Sequence, residues 1–144
     1  MKPSNFQLEK QRLIKSDFYL NPDYKTTKNL KLDLSGETKI TRIDSNSAQV
    51  VFEFSIFKGI SIEEVPFKLI IINEGIFSWE ESIEEKDLNA LLKYNAPAIL
   101  LSYVRSVVSM ITAYAGLPQI MIPLLNFYAT DDAIENPSTE KPVD

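Results

Sequence analysis

This 144-residue chain contains no cysteine and no histidine, only four glycines and a single tryptophan. Without cysteine there are no disulfides, no thiolate nucleophile and no cysteine-ligated zinc. Without histidine the commonest general base is also missing. The glycines stand apart at 36, 59, 75 and 116, so no glycine-rich phosphate loop is present. Basic residues are the minority, 15 Lys and Arg against 20 Asp and Glu, for a formal charge of −5. Nucleic-acid surfaces need clustered Lys and Arg, and that class is set aside. No apolar run follows Lys2, so a secretory signal is not expected and the chain reads as cytoplasmic.

Hydrophobic residues make up 44% of the chain, an ordinary globular share, and the length suits one domain with a proper core. The expected domain is residues 1–130. Residues 131–144 carry five acidic side chains and one lysine, with Pro137 and Pro142, and are expected to form a mobile acidic tail.

Four strand-like segments come first, over residues 6–20, 28–43, 48–58 and 65–73. In the second, Leu30, Leu32 and Leu34 alternate with Lys31 and Asp33. In the third, Val50, Phe52, Phe54 and Ile56 share one face, with Val51, Glu53, Ser55 and Phe57 on the other. The fourth is apolar on both faces, with Phe67, Leu69 and Ile71 against Ile70 and Ile72. A meander followed by helices is an α+β pattern with an antiparallel sheet. A second apolar face is not simply solvated: the segment after residue 116, or a partner subunit, covers it, or it forms a groove for extended polypeptide.

Glu80, Glu81, Glu84, Glu85 and Asp87 precede Leu88, Leu91 and Leu92 and suit the start of a short helix over residues 84–93. Clustered carboxylates can bind Ca²⁺, but the spacing and loop glycine of an EF-hand are missing, so no metal is expected.

Residues 95–127 form the most informative stretch. Asn95 is placed to cap a helix and Pro97 falls in its first turn, while Gly116 and Pro118 end it. Leu100, Tyr103, Val104, Val107, Met110, Ile111 and Tyr114 gather on one face, expected to be the core face. The other face holds Ser102, Arg105, Ser106, Ser109, Thr112 and Ala113, with a single charge. Three readings fit it: a weakly polar surface, a face wrapped by the chain itself, or a contact with a symmetry-related copy. Arg105 in mid-helix and the stop at Gly116 argue against a membrane span.

The order Asn95-x-Pro97, Leu101-x-Tyr103-x-Arg105, Gly116-x-Pro118-Gln119 and Pro123-x-x-Asn126-Phe127 resembles the SecB protein-export chaperones. Gln11-Arg12 leading to Asp17, Lys31-Leu32-Asp33-Leu34 and Gly75-Ile76-Phe77 resemble segments of that family's strands, so the likeness covers roughly residues 9–128. The resemblance implies a four-stranded antiparallel sheet packed with one long helix and a short C-terminal helix, assembled as a dimer of dimers. It implies an ATP-independent holdase that binds unfolded polypeptides in an apolar groove and delivers them to the SecA translocation ATPase. Two alternatives stand beside export: a chaperone of this type dedicated to a regulatory client such as a toxin-neutralising protein, and a non-catalytic oligomeric scaffold.

On that reading Val51, Phe57, Ile70 and Ile72 are expected to bind client, with Leu117, Ile120 and Ile122 as the opposite wall. Ser102, Arg105, Ser106, Ser109 and Ala113 are expected at the oligomer interface. The family's SecA-docking carboxylates are matched by Asp17 alone, since Asn21 and Ile70 stand at the other two positions. The family's second helix is cut to residues 128–134. No cofactor is implied, and an enzyme is not expected. The nearest enzyme alternative, a hot-dog-like thioesterase, acts through a carboxylate on its central helix, and none lies in residues 95–127.

Overall fold

In the computed structural model, which describes residues 1–25 and 30–128, four strands form one antiparallel sheet. They are β1 (Phe6–Leu20), β2 (Leu34–Asp44), β3 (Ser47–Ile56) and β4 (Phe67–Trp79), in the order β1-β4-β3-β2. The tight β2–β3 turn follows from its polar residues: the Asn46 N–H donates to Asp44 Oδ1 at 2.8 Å. That bond holds the Asp44 carboxyl below its usual range.

The expectation of a simple meander is corrected at β1, which pairs with β4 and not with β2. Residues 21–33 are too long a link for a hairpin, and the strands they join stand at opposite edges of the sheet. Phe6 stacks on Phe77 with centroids 5.2 Å apart, and Phe18 on Phe67 at 5.8 Å. These rings fix β1 on that edge. The last strand also runs on past the expected end at residue 73.

Odd-numbered β4 residues and even-numbered β3 residues point to the core, where Phe52, Phe54, Ile56, Leu69, Ile71 and Phe77 are fully buried. Val51, Ile70, Ile72 and Ile76 point to the outer face and are half-buried. Phe57 does not continue the alternation. Its φ is 60°, a left-handed backbone that ends β3 and turns the ring into the core, edge-on to Phe67 at 5.5 Å.

The inner face is covered by one continuous helical run. α1 (Glu85–Ala90) leads through a widened turn (Leu91–Asn95) into α2 (Ala96–Tyr114). The expected cap at Asn95 is corrected: this residue is itself helical, at φ −77° and ψ −42°, with no side-chain cap. Pro97 explains the widened turn. It has no N–H for the Lys93 carbonyl and its ring crowds that oxygen, so the ladder opens to the next spacing. By length and composition the run Glu85–Tyr114 could span a bilayer. Here its buried row instead lies on the sheet, as in any core helix.

That row is Leu100, Leu101, Val104, Val108 and Thr112, with Val107 and Ile111 partly buried. Leu100 approaches β4 closely because position 75 lacks a side chain: a Cβ there would lie 2.9 Å from Leu100 Cδ2. Tyr103, Met110 and Tyr114, expected in the core, are 42%, 65% and 95% exposed. Apolar residues stand almost all round this helix, so periodicity did not fix its rotation.

Gly116, at φ 76°, reverses the chain after α2. The following segment, here the strap, runs back along the helix. It buries Ile122, brings Phe127 edge-on to Phe52 at 5.7 Å, and ends with Tyr128 stacked on Tyr94 at 4.0 Å. The short helix expected over 128–134, apart from Tyr128, and the tail lie outside the described residues.

Candidate functional site

An apolar hollow opens between the strap and the described residues at either end of the β1–β2 link. It has a volume of about 430 Å³ and is lined by Leu20, Asn21, Tyr24, Leu30, Leu32, Pro66, Phe67, Leu117, Pro118 and Ile120. Among the described residues no charged side chain lines it. Leu20 and Leu30 are 37% and 41% exposed. Such surface accepts a side chain from outside without first breaking the core.

Its floor is pinned by Asn21. The side-chain amide donates to the carbonyls of Ile62 at 2.8 Å and Val65 at 3.1 Å, and the Asn21 backbone N–H donates to Pro66 O at 2.8 Å. A carboxylate has no N–H and would face two carbonyl oxygens instead. An acid at position 21 would forfeit both of these bonds. Asn21→Asp is expected to cost about 1–3 kcal/mol, read as a lowered denaturation midpoint with unchanged slope.

The opposite rim is fastened by α2. Arg105 Nε donates to Ile122 O at 2.8 Å and the Ser109 hydroxyl to Ile120 O at 3.2 Å. The Ile120 N–H donates to the Thr112 hydroxyl at 3.3 Å. Of the three readings of this helix face, wrapping by the chain itself accounts for Arg105 and Ser109. Ser102, Ser106 and Ala113 remain exposed beside Tyr103, Met110 and Tyr114. A shallower cleft of about 300 Å³ lies along Ser102, Arg105, Ser106, Ser109, Met121 and Ile122.

The expected client residues do not converge. Val51, Ile70 and Ile72 lie on the outer face of the sheet, whereas Leu117, Ile120 and Ile122 lie on the inner side, so the sheet separates the two sets. Leu117 and Ile120 line the hollow. Phe57 and Ile122 are corrected to the core, at 0% and 1% exposure. Leu20, Tyr24, Leu30, Leu32, Pro66 and Pro118 also line the hollow and are not among the expected client residues. For Tyr24, Leu30 and Leu32 the one signal in the sequence is that large apolar side chains recur in a connection otherwise polar.

The outer face is a mixture. Arg12 holds Glu74 through two contacts of 3.1 and 3.2 Å, and Lys58 Nζ lies 2.6 Å from Glu53. That bond keeps the Lys58 ammonium above its usual range. Asp17 sits in a hollow with Tyr19, Lys58, Lys68 and Ile70. Among the described residues no cluster of His, Cys, Asp and Glu could hold a metal ion.

Comparison with known proteins places these features. The profile of the family described as preprotein translocase subunit SecB matches residues 20–132. A protein-export protein SecB of Anaplasma phagocytophilum is 31% identical over 108 residues, covering 70% of this chain and 68% of that protein. One from Anaplasma marginale is 38% identical over 69 residues, 47% of this chain but only 39% of that relative's length. One from Orientia tsutsugamushi is 26% identical over 126 residues, covering 82% of this chain and 76% of the relative. Among solved structures, a SecB-like chaperone of Mycobacterium tuberculosis in complex with a ChAD peptide from the HigA1 antitoxin superposes with a TM-score of 0.67. It is 16% identical, over 84% of this chain and 91% of that one, a likeness of fold.

Proposed function

This chain belongs to the SecB family, and from that premise we propose that it is a non-catalytic, ATP-independent holdase for non-native polypeptide. The observation that carries the proposal is the open hollow of about 430 Å³ whose described lining is mainly apolar and carries no charge. Such a surface rewards exposed apolar side chains of any sequence, because burial of greasy area is non-directional. An extended segment suits it better than a folded domain, whose apolar residues are already buried. The M. tuberculosis neighbour, solved with a peptide, supports the same reading.

The test is suppression of aggregation of a denatured client without nucleotide. Protection that persists from low to high salt supports apolar capture. Protection that needs ATP, or vanishes with salt, counts against it.

Delivery to SecA belongs to the same proposal, with Asp17 as its docking carboxylate and the cytoplasm as its place. A second reading, a chaperone dedicated to one regulatory client, is favoured by the company of Asp17. Lys58 and Lys68 share its hollow, which weakens attraction for a basic partner.

We also propose a homotetramer. β1 is an edge strand with Leu13 and Ile14 about half exposed, and α2 presents Tyr103, Ser106, Met110 and Tyr114. Edges of this kind seek partners. Ser106→Trp is expected to shift the mass by light scattering from tetramer to dimer without a change in circular dichroism. A wild-type monomer in dilute solution would remove the idea.

A further inference from the structure

We propose that Arg105, Ser109 and Thr112 are positioning residues that set the client groove by holding the strap in one register. The proposal rests on the groove reading and adds to it the device that keeps the groove's outer rim in place.

The strap has little of its own to hold it. Pro118 and Pro123 have no N–H, so it cannot form a regular ladder with a strand. The helix supplies side chains in place of a ladder. Arg105 and Ser109 are one i,i+4 step apart, a rise of about 6 Å. Their acceptors, the carbonyls of Ile122 and Ile120, are two residues apart on an extended chain, about 6.6 Å. The two spacings agree, so both bonds form together only when those two carbonyls face the helix.

Thr112 removes the remaining freedom. Its fully buried hydroxyl donates to Val108 O at 2.8 Å and accepts the Ile120 N–H. A slip of two residues one way would bring Pro118, which has no hydrogen to give. A slip of one residue would exchange Ile122, 1% exposed, for Met121, 76% exposed. The register thus decides which strap residues enter the core and which border the groove, where Leu117 and Ile120 stand.

Arg105 is the strongest rung. It is half-buried, and among the described residues it has no carboxylate partner. A cation removed from water without an acid beside it is costly unless a carbonyl takes its place. The Ile122 carbonyl does this, so the bond is charge-assisted and directional.

The experiment compares wild type, Arg105→Met and Arg105→Lys. Each is measured by hydrogen exchange, by titration with a reduced and alkylated, permanently unfolded protein, and by thermal melting. For Arg105→Met, exchange over residues 117–127 should rise roughly tenfold and client affinity fall roughly tenfold. Protection in β3 and β4 should hold, and Arg105→Lys should recover part of both losses. Unchanged strap exchange, or a loosened strap with unchanged affinity, overturns the proposal. So does a loss of protection spread evenly over the sheet, which would make Arg105 a plain stability residue. Should Arg105→Met not fold, Ser109→Ala reads the same ladder, with a smaller rise of about threefold confined to the strap. Wild type that binds no unfolded polypeptide would overturn the groove reading first, and is recognised before any variant is made.

Discussion

Two carboxylates in the groove, Leu20→Asp with Leu30→Asp, are expected to lower client affinity by about 100-fold or more. Each leucine is about two-fifths exposed in the free protein, so each becomes buried only when a client covers it. Covering the remaining two-fifths of such a side chain contributes roughly 0.6–1.2 kcal/mol, and a covered carboxylate replaces that gain with a dehydration cost of at least about 1–3 kcal/mol. Two sites together exceed about 3 kcal/mol, which is two decades of affinity. Water already reaches both positions, so the melting temperature should move by only a few degrees. The matching control is Ile72→Asp. That side chain is half-buried on the far side of the sheet, beside Lys15 in the register, and the change should leave client affinity as it is.

The second large effect concerns stability. Phe52→Ala is expected to cost about 3–5 kcal/mol, the range for emptying a fully buried aromatic site. Phe52 is at 0% exposure in the middle of β3, and its ring meets Phe127 edge-on, so the strap's far end loses an anchor as well. That aromatic contact adds roughly 0.5–1.5 kcal/mol. Against a total of about 5–15 kcal/mol for a domain, such a loss leaves little reserve. Chemical denaturation should show the midpoint falling steeply, and client capture should weaken with it. A loss under about 1 kcal/mol would mean that the strap collapses into the space, contrary to the register described above.

Local chemistry made much of this fold legible. β1 begins and ends where its apolar markers and flanking polar residues place it, and β3 follows from strict alternation. The reversal at Gly116 followed from its freedom at positive φ. Three features were not legible, each for a physical reason. Pairing of β1 with β4 is a long-range choice made by Phe6, Phe18, Phe67 and Phe77, which no local window contains. The rotation of α2 was ambiguous because Tyr103, Met110 and Tyr114 look like core residues and face outward. Phe57 broke the period of two through one left-handed residue that nothing in its side chain announces.

The groove suffered from the same limits. Leu117 and Ile120, which follow a clear stop signal, do line the hollow. The sequence reading puts the other wall on the apolar outer face of β4, whereas the groove proposed above lies on the inner side of the fold. Leu20, Leu30 and Leu32 line one hollow with Pro66 and Phe67, where Asn21 ties the end of β1 to the residues that lead into β4. Family likeness supports the kind of site, and the open hollow is where the proposal puts it.

The most direct measurement is site-specific photo-crosslinking to an unfolded client, with the reactive residue placed in turn at positions 30, 117 and 72. The account predicts adducts from 30 and 117, competed away by excess unlabelled client, and none from 72. Adducts from 72 with none from 30 or 117 would put the client on the outer face of the sheet and contradict the groove assigned here.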